Sequence, residues 1–110
     1  MNERRRYIRF ESDLTLRYVY IRGMITLEED TRLKDISING MRLYLPPVIK
    51  KGDIFLAELN MPFTGLISAI AKVIWTRELP EAKEEAGVEF DWVSNIDKLG
   101  RYLQKLKLAA

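Results

Sequence analysis

Apolar and polar residues alternate along most of the chain. From Asp13 to Arg22, leucine or tyrosine occupies every second position, and threonine, arginine and valine lie between them. A period of two places these two sets on opposite faces of a β-strand. Similar alternation, or an apolar run rich in β-branched residues, predicts five more strands, at residues 31–36, 41–45, 54–60, 66–77 and 87–93.

The spacing changes after the last predicted strand, where apolar residues recur every three or four positions, as in an amphipathic helix. We predict a helix over residues 95–108, with Ser94 or Asn95 as its N-cap. Its apolar face would carry Ile96, Leu99, Tyr102, Leu103 and Leu106. Six short strands without a βαβ pattern, followed by one helix, predict a small antiparallel barrel or sandwich whose open edge or end the helix covers.

Two connections need interpretation. The first strand can turn either at Arg22-Gly23 or around Glu28-Glu29-Asp30, and the sequence permits both. Residues 78–86, which include Glu84-Glu85, are predicted to form an acidic loop with solvated carboxylates.

The composition narrows the functional classes. The chain has 110 residues, 47% of them apolar, which is enough for one domain with a packed core. It has no cysteine and no histidine, so thiol nucleophiles, imidazole bases and the usual zinc ligands are missing. An enzyme is therefore the least expected class, and we expect no metal site. The polar start predicts no signal peptide, and no apolar run approaches the roughly 20 residues of a membrane span, so a cytoplasmic protein is expected.

Charge is unevenly distributed, although the net charge is only +2. Residues 1–10 hold four arginines and one glutamate, residues 95–110 are also basic, and the stretch between them is weakly acidic. We interpret residues 1–12 as a flexible arginine-rich arm and residues 13–110 as a single domain. Local positive charge suits a local anion site better than a general nucleic-acid coat.

Two short stretches carry the chemistry that suits such a site. Arg5-Arg6-Tyr7-Ile8-Arg9 supplies guanidinium groups, which bind phosphate oxygens or the O6/N7 edge of guanine in a bidentate manner. The second stretch, from Asp35 through Ser37 to Gly40, offers a carboxylate that can accept from guanine N–H groups, a hydroxyl, and a glycine that permits close approach. Taken alone, the second stretch is also compatible with an ordinary turn between strands.

Together these stretches resemble the PilZ domain family, whose pattern is an RxxxR motif followed by (D/N)xSxxG. Arg5 and Arg9 match the first motif, and Asp35, Ser37 and Gly40 match the second. Trp75 and the segment Gly87-Val88-Glu89-Phe90 resemble the late tryptophan and the closing strand of such domains. The resemblance implies a six-stranded antiparallel β-barrel with a C-terminal helix, and binding of the bacterial second messenger cyclic di-GMP.

The resemblance also implies roles for particular residues. Arg5 and Arg9 would grip guanine edges and phosphates, and the turn with Asp35, Ser37 and Gly40 would face the other edge of the guanine. Arg4, directly before the first motif, implies a stacked pair of ligand molecules. Trp75 would either pack on a base or form part of the barrel wall.

The expected protein is thus a receptor or adaptor without a cofactor. Its ligand would close the arginine arm over the barrel and change the surface offered to a partner protein. A PilZ-shaped interaction scaffold that works without nucleotide is one alternative. A small binder of single-stranded nucleic acid is another, which the acidic middle of the chain disfavours.

Overall fold

The computed structural model describes residues 8–12 and 14–109 of the chain. Seven strands, one short 3₁₀-helix and one α-helix follow each other in this part. They are β1 (Phe10–Glu11), β2 (Thr15–Arg22), β3 (Ile25–Ile36), β4 (Gly40–Leu45), β5 (Ile54–Met61), β6 (Gly65–Leu79), the 3₁₀-helix Pro80–Ala82, β7 (Lys83–Val93) and α1 (Ile96–Ala109).

Six of the strands form a closed antiparallel barrel. The order around it is β3-β2-β5-β6-β7-β4, and pairing between β3 and β4 closes the ring. β1 lies outside the ring and pairs with the end of β3, with Phe10 opposite Ile36 and Glu11 opposite Asp35. The six-stranded antiparallel barrel with a C-terminal helix is therefore confirmed.

The barrel interior is filled by the apolar side chains that alternate along each strand. Tyr18 and Phe55 meet edge to face inside it, with ring centroids 5.7 Å apart. The helix α1 lies against β1 and β6 and buries Leu99, Tyr102 and Leu103, whereas Ile96 is half exposed. Burial of these side chains is the main force that holds the helix on the barrel.

The first turn lies at Gly23, which adopts a left-handed conformation with φ of +58°. Strand β3 consequently begins at Ile25 instead of residue 31, and Glu28, Glu29 and Asp30 belong to it. This hairpin pairs Arg22 with Ile25 across two turn residues.

The predicted acidic loop at residues 78–86 is wrong. β6 continues to Leu79, and β7 begins at Lys83 after the short 3₁₀-helix. Glu84 and Glu85 are buried, with 8% and 2% of their surface exposed. Burial of Glu85 is tolerated because three basic side chains surround its carboxylate.

The arm predicted at residues 1–12 is described only in part. Residues 1–7 lie outside the described residues, and Phe10 and Glu11 belong to β1. Within residues 8–12 and 14–109, no helix is both long and apolar enough to cross a membrane.

Candidate functional site

A bulge in β3 directs Asp35 to the outer side of the barrel, where neighbouring side chains cover it and leave 3% of the residue exposed. Leu33 lies opposite Leu43 and Asp35 lies opposite Arg42, so Lys34 is an extra residue between two register positions. Leu33 and Leu43 are core residues, and strict alternation from Leu33 would also point Asp35 inward. The extra residue shifts the phase of the strand and places the carboxylate beside the outward-facing Arg42.

Two arginines hold the Asp35 carboxylate. The Nε atom of Arg42 donates to Oδ2 at 2.7 Å, and a second N–H of the same guanidinium binds the same oxygen. Arg9 reaches the other oxygen, Oδ1, at 3.3 Å. Hydrogen bonding to Asp35 raises the pKa of Arg42 above its ordinary value. The carboxylate is therefore fixed on one side by Arg42 and held more loosely on the other by Arg9.

Glu85 continues this network toward β6. Its carboxylate accepts from Arg77 at 2.5 Å and lies 3.5 Å from Lys34 Nζ and 3.7 Å from Arg42. Burial alone would raise the pKa of Glu85, but hydrogen bonding to Arg77 and attraction to Lys34 outweigh burial and lower it. Four cationic and two anionic side chains thus form this ion-pair network, and Glu11 lies opposite Asp35 on β1. The four positive charges exceed the three negative ones by one, which suits an anion.

The turn after Asp35 is held by its own hydrogen bonds. The Ser37 hydroxyl donates to Asn39 Oδ1 at 2.7 Å, and the Ser37 N–H donates to Gly40 O at 2.8 Å. A bond from the Phe90 N–H to Asn39 O, 2.8 Å long, ties the turn to β7. Ser37 is buried, so its hydroxyl shapes the turn.

Gly40 is required by close packing between β4 and β7. A Cβ added to Gly40 would overlap the carbonyl oxygen of Val88 and would lie 3.3 Å from Glu89 Cα. Because both neighbours are backbone, a side chain at this position has no easy way to move aside. The glycine therefore fixes the distance between the turn and β7.

Trp75 is brought to the same surface by a second bulge. The register between β6 and β7 shifts between Val73 and Trp75, which places Trp75 opposite Gly87. The indole covers Gly87, since a Cβ added there would overlap the ring. Gly87 itself lies opposite Arg42.

These pairings form one row across four strands. Asp35, Arg42, Gly87 and Trp75 occupy matching register positions on β3, β4, β7 and β6. Measured along the curved wall of the barrel, the row covers three strand spacings of about 4.8 Å each, or about 14 Å. Charge lies at one end of the row and an aromatic ring at the other.

The predicted site residues are only partly brought together. Arg9 and Asp35 are in contact, Ser37 and Gly40 shape the adjoining turn, and Trp75 lies farther along the same face. Arg4 and Arg5 lie outside the described residues. The described residues form no group of three or more histidine, cysteine or acidic side chains that could hold a metal ion.

Sequence reasoning missed Arg42 and Glu85. Arg42 lies between the core residues Met41 and Leu43, so alternation along β4 directs it outward, toward the strand that ends at Asp35. This signal was present in the sequence. Glu85 had no comparable signal, because its segment was assigned to a loop.

The described residues thus form a closed barrel that carries an arginine-clamped carboxylate beside the turn of the second motif. The model of the PilZ domain family matches residues 3–105. The chain belongs to this family.

Several solved protein structures have a fold similar to that of this chain. The chain is similar to the PilZ domain of YcgR from Escherichia coli with cyclic di-GMP, with a TM-score of 0.76 and 24% identity over 97% of this chain and 94% of that one. It is also similar to the inhibitor of motility MotI/DgrA from Bacillus subtilis, with a TM-score of 0.70 and 20% identity over 98% of this chain. A further match is YcgR of E. coli in complex with cyclic di-GMP, with a TM-score of 0.69 and 27% identity over 97% of this chain. The chain spans 52% of the length of the second structure and 46% of the third. No curated protein matches the sequence significantly.

Proposed function

We propose that this PilZ domain is a bacterial, cytoplasmic receptor for cyclic di-GMP. The observation that carries the proposal is the carboxylate of Asp35, which Arg9 and Arg42 hold and cover on the outer side of the barrel, with 4% of its side chain exposed. A carboxylate flanked by guanidinium groups suits a ligand that combines guanine N–H donors with phosphate oxygens. Two E. coli YcgR structures of similar fold contain cyclic di-GMP, which supports the assignment.

Binding would proceed by exchange of partners at Asp35. Arg9 lies 3.3 Å from Oδ1, farther than Arg42 Nε lies from Oδ2, so Arg9 is the more weakly held of the two arginines. Only 4% of the Asp35 side chain is exposed, so the ligand must replace Arg9 directly and not leave Oδ1 without a partner. A guanine N–H then takes its place on Oδ1, and Arg9 turns to the guanine edge or to a phosphate. Arg42 stays on Oδ2 throughout and keeps the carboxylate oriented.

The remaining motif residues complete the site in this proposal. Arg4 and Arg5 close over the ligand from the N-terminal arm, and Arg4 accompanies a stacked pair of ligand molecules. Ser37 and Gly40 hold the turn that forms the fixed side. Trp75 offers a partly buried ring at the far end of the row, on which a base can stack. Closure of the arm then changes the surface available to a protein effector.

Titration calorimetry with cyclic di-GMP tests the proposal. Arg9→Ala removes a ligand contact, and Asp35→Asn removes the charge but keeps an acceptor for Arg42. Each is expected to weaken binding by about 1–3 kcal/mol, which is roughly 5- to 150-fold. Arg17→Ala is the matched control, since Arg17 is an exposed arginine of β2 that pairs with Glu28 and Asp30. It should bind the ligand as the unchanged protein does.

The stoichiometry tests the role of Arg4 separately. We expect two ligand molecules per chain, and one after Arg4→Ala. A ratio of one in the unchanged protein would refute the stacked pair but retain the receptor. Absence of binding at tens of micromolar ligand, with a normal melting temperature, would refute the receptor and leave a nucleotide-independent scaffold.

A further inference from the structure

One edge of β3 is open over most of its length. β3 pairs with β2 from Ile25 to Arg32 but with β4 only at Leu33, Asp35 and Ile36. Among the described residues, no strand covers the other side of residues 25–32. The β2–β3 hairpin therefore extends beyond the closed part of the barrel with one free edge.

The direction of the backbone groups along this edge follows from one hydrogen bond. The Leu33 N–H donates to Leu14 O at 2.8 Å, so Leu33 faces the β2 side. Antiparallel pairing alternates, and the odd-numbered residues of β3 therefore bond toward β2. Thr26, Glu28 and Asp30 direct their N–H and C=O groups toward the open edge. Such a row is a template for another strand.

A groove adjoins this edge where β3 and β4 separate. The Thr31 hydroxyl donates to Tyr44 O at 2.6 Å and is the last link between the two strands. Two adjoining cavities of about 570 and 290 Å³ lie there and share Asp30, Thr31, Tyr44 and Lys83 in their walls. Leu45, Pro46 and Pro47 add an apolar wall to the smaller one. A strand added along β3 would point alternate side chains into this groove.

The charge of the edge indicates which kind of strand can pair with it. Glu28 and Asp30 lie on its outer face with 55% and 63% of their side chains exposed, and Arg17 pairs with both at 3.1 and 3.4 Å. A second copy paired antiparallel about Glu28 or Glu29 would place Glu28 against Glu28 or against Asp30, which is unfavourable. A strand with basic side chains on its outer face would meet opposite charges instead.

We propose that the open edge of β3 from Thr26 to Asp30 binds an extended segment of a partner protein by β-strand addition. The segment has basic side chains on its outer face and apolar side chains toward the groove. This site shares none of its residues with the cyclic di-GMP site, so the two proposals fail or succeed separately. The edge gives the receptor a docking surface for its effector.

The test uses a labelled peptide, Lys-Val-Lys-Val-Lys-Val-Lys, and the matching Glu-Val peptide as its control. We expect fluorescence anisotropy to show binding of the first peptide only. Hydrogen exchange followed by NMR should slow about tenfold or more at the amides of Thr26, Glu28 and Asp30 when this peptide is bound. The amides of Leu27 and Glu29 should change little, because they are already bonded to β2.

Two variants separate the edge from the fold. Glu28→Pro removes an N–H that points away from β2, which an edge strand tolerates, and should abolish peptide binding while cyclic di-GMP binding persists. Glu28→Gln keeps that N–H and should retain most of the binding. If Glu28→Pro does not fold, the double variant Glu28→Lys, Asp30→Lys tests the edge instead. This variant should bind the Glu-Val peptide more tightly than the Lys-Val peptide, because the charge of the edge is reversed.

Several results would overturn the proposal. One is equal binding of both peptides, and another is undiminished binding to a folded Glu28→Pro variant. Slow exchange at Thr26, Glu28 and Asp30 that depends on protein concentration without peptide would assign the edge to a second copy of this chain.

Discussion

At the scale of single residues, Gly40 shows that the site depends on close packing between β4 and β7. Its φ is not in the left-handed region, so any residue could adopt its backbone conformation. The close approach of the Val88 carbonyl is what excludes a side chain. We expect Gly40→Ala to lower the free energy of unfolding by about 1–3 kcal/mol, because the turn must move away from β7. Urea unfolding followed by circular dichroism measures this loss.

Gly100 provides the matched control for this substitution. It lies within α1, and nothing lies within 4 Å of a Cβ built on it. Alanine favours a helix interior over glycine by roughly 1 kcal/mol, so Gly100→Ala should stabilise the protein. Equal effects of the two substitutions would show that space at Gly40 is not the cause.

The residues of the site were predictable to different degrees. Asp35 and Arg9 follow from their chemistry and from the two motifs, and the structure places them in contact. The motif also selects Ser37, but its hydroxyl is directed into the turn. Arg42 belongs to no motif and emerges only when strand alternation is combined with the pairing of β3 and β4.

At the scale of elements, two of the three register shifts decide which side chains of the site point outward. Each adds one residue to a strand, at Lys34 and between Val73 and Trp75. An extra residue inverts the inward and outward pattern beyond it, and alternation in the sequence alone does not locate it. For this reason the strands and the helix were predictable from alternation, whereas the outward direction of Asp35 and Trp75 was not.

The start of α1 offers a test at this scale. The sequence permits Ser94 or Asn95 as the N-cap, and the structure shows Asn95 Oδ1 accepting from the Lys98 N–H at 3.0 Å. Asn95→Ala should lower the free energy of unfolding by about 1 kcal/mol, since that N–H loses its partner. Thermal unfolding should show a melting temperature that is lower by about 4–8 °C. Asn95→Asp keeps a side-chain oxygen at the cap, so its melting temperature should remain near that of the unchanged protein. If Asn95→Asp lowers the melting temperature as much as Asn95→Ala does, loss of the cap is not the cause.

At the scale of the whole molecule, Glu85 joins four strands of the barrel. It lies on β7 and contacts Lys34 on β3, Arg42 on β4 and Arg77 on β6. Glu85 also helps to position Arg42, and Arg42 donates a hydrogen bond to Asp35. The ionised state of one buried carboxylate therefore couples barrel stability to the geometry of the site.

This coupling predicts how stability depends on pH. The pKa of Glu85 is lowered from its ordinary value of 4.5: burial opposes the shift, and bonding to Arg77 and attraction to Lys34 outweigh it. A lowered pKa in the folded state gives stability that is present above about pH 4.5 and is lost as pH falls through the folded value. Glu85→Gln should therefore destabilise the protein by about 1–3 kcal/mol at pH 7. Unfolding by urea at pH 7 and at pH 3 measures the difference.

The difference in free energy of unfolding between the unchanged protein and Glu85→Gln should be smaller at pH 3. Glu85 of the unchanged protein then approaches its neutral state, which glutamine resembles. Glu89→Gln is the control, since Glu89 is an exposed carboxylate on the same strand and its replacement should change stability little at either pH. If the loss in Glu85→Gln is the same at both pH values, the ionised carboxylate does not supply the stability. The packing of the side chain would then be the cause, and Arg42 would owe its position to Asp35 alone.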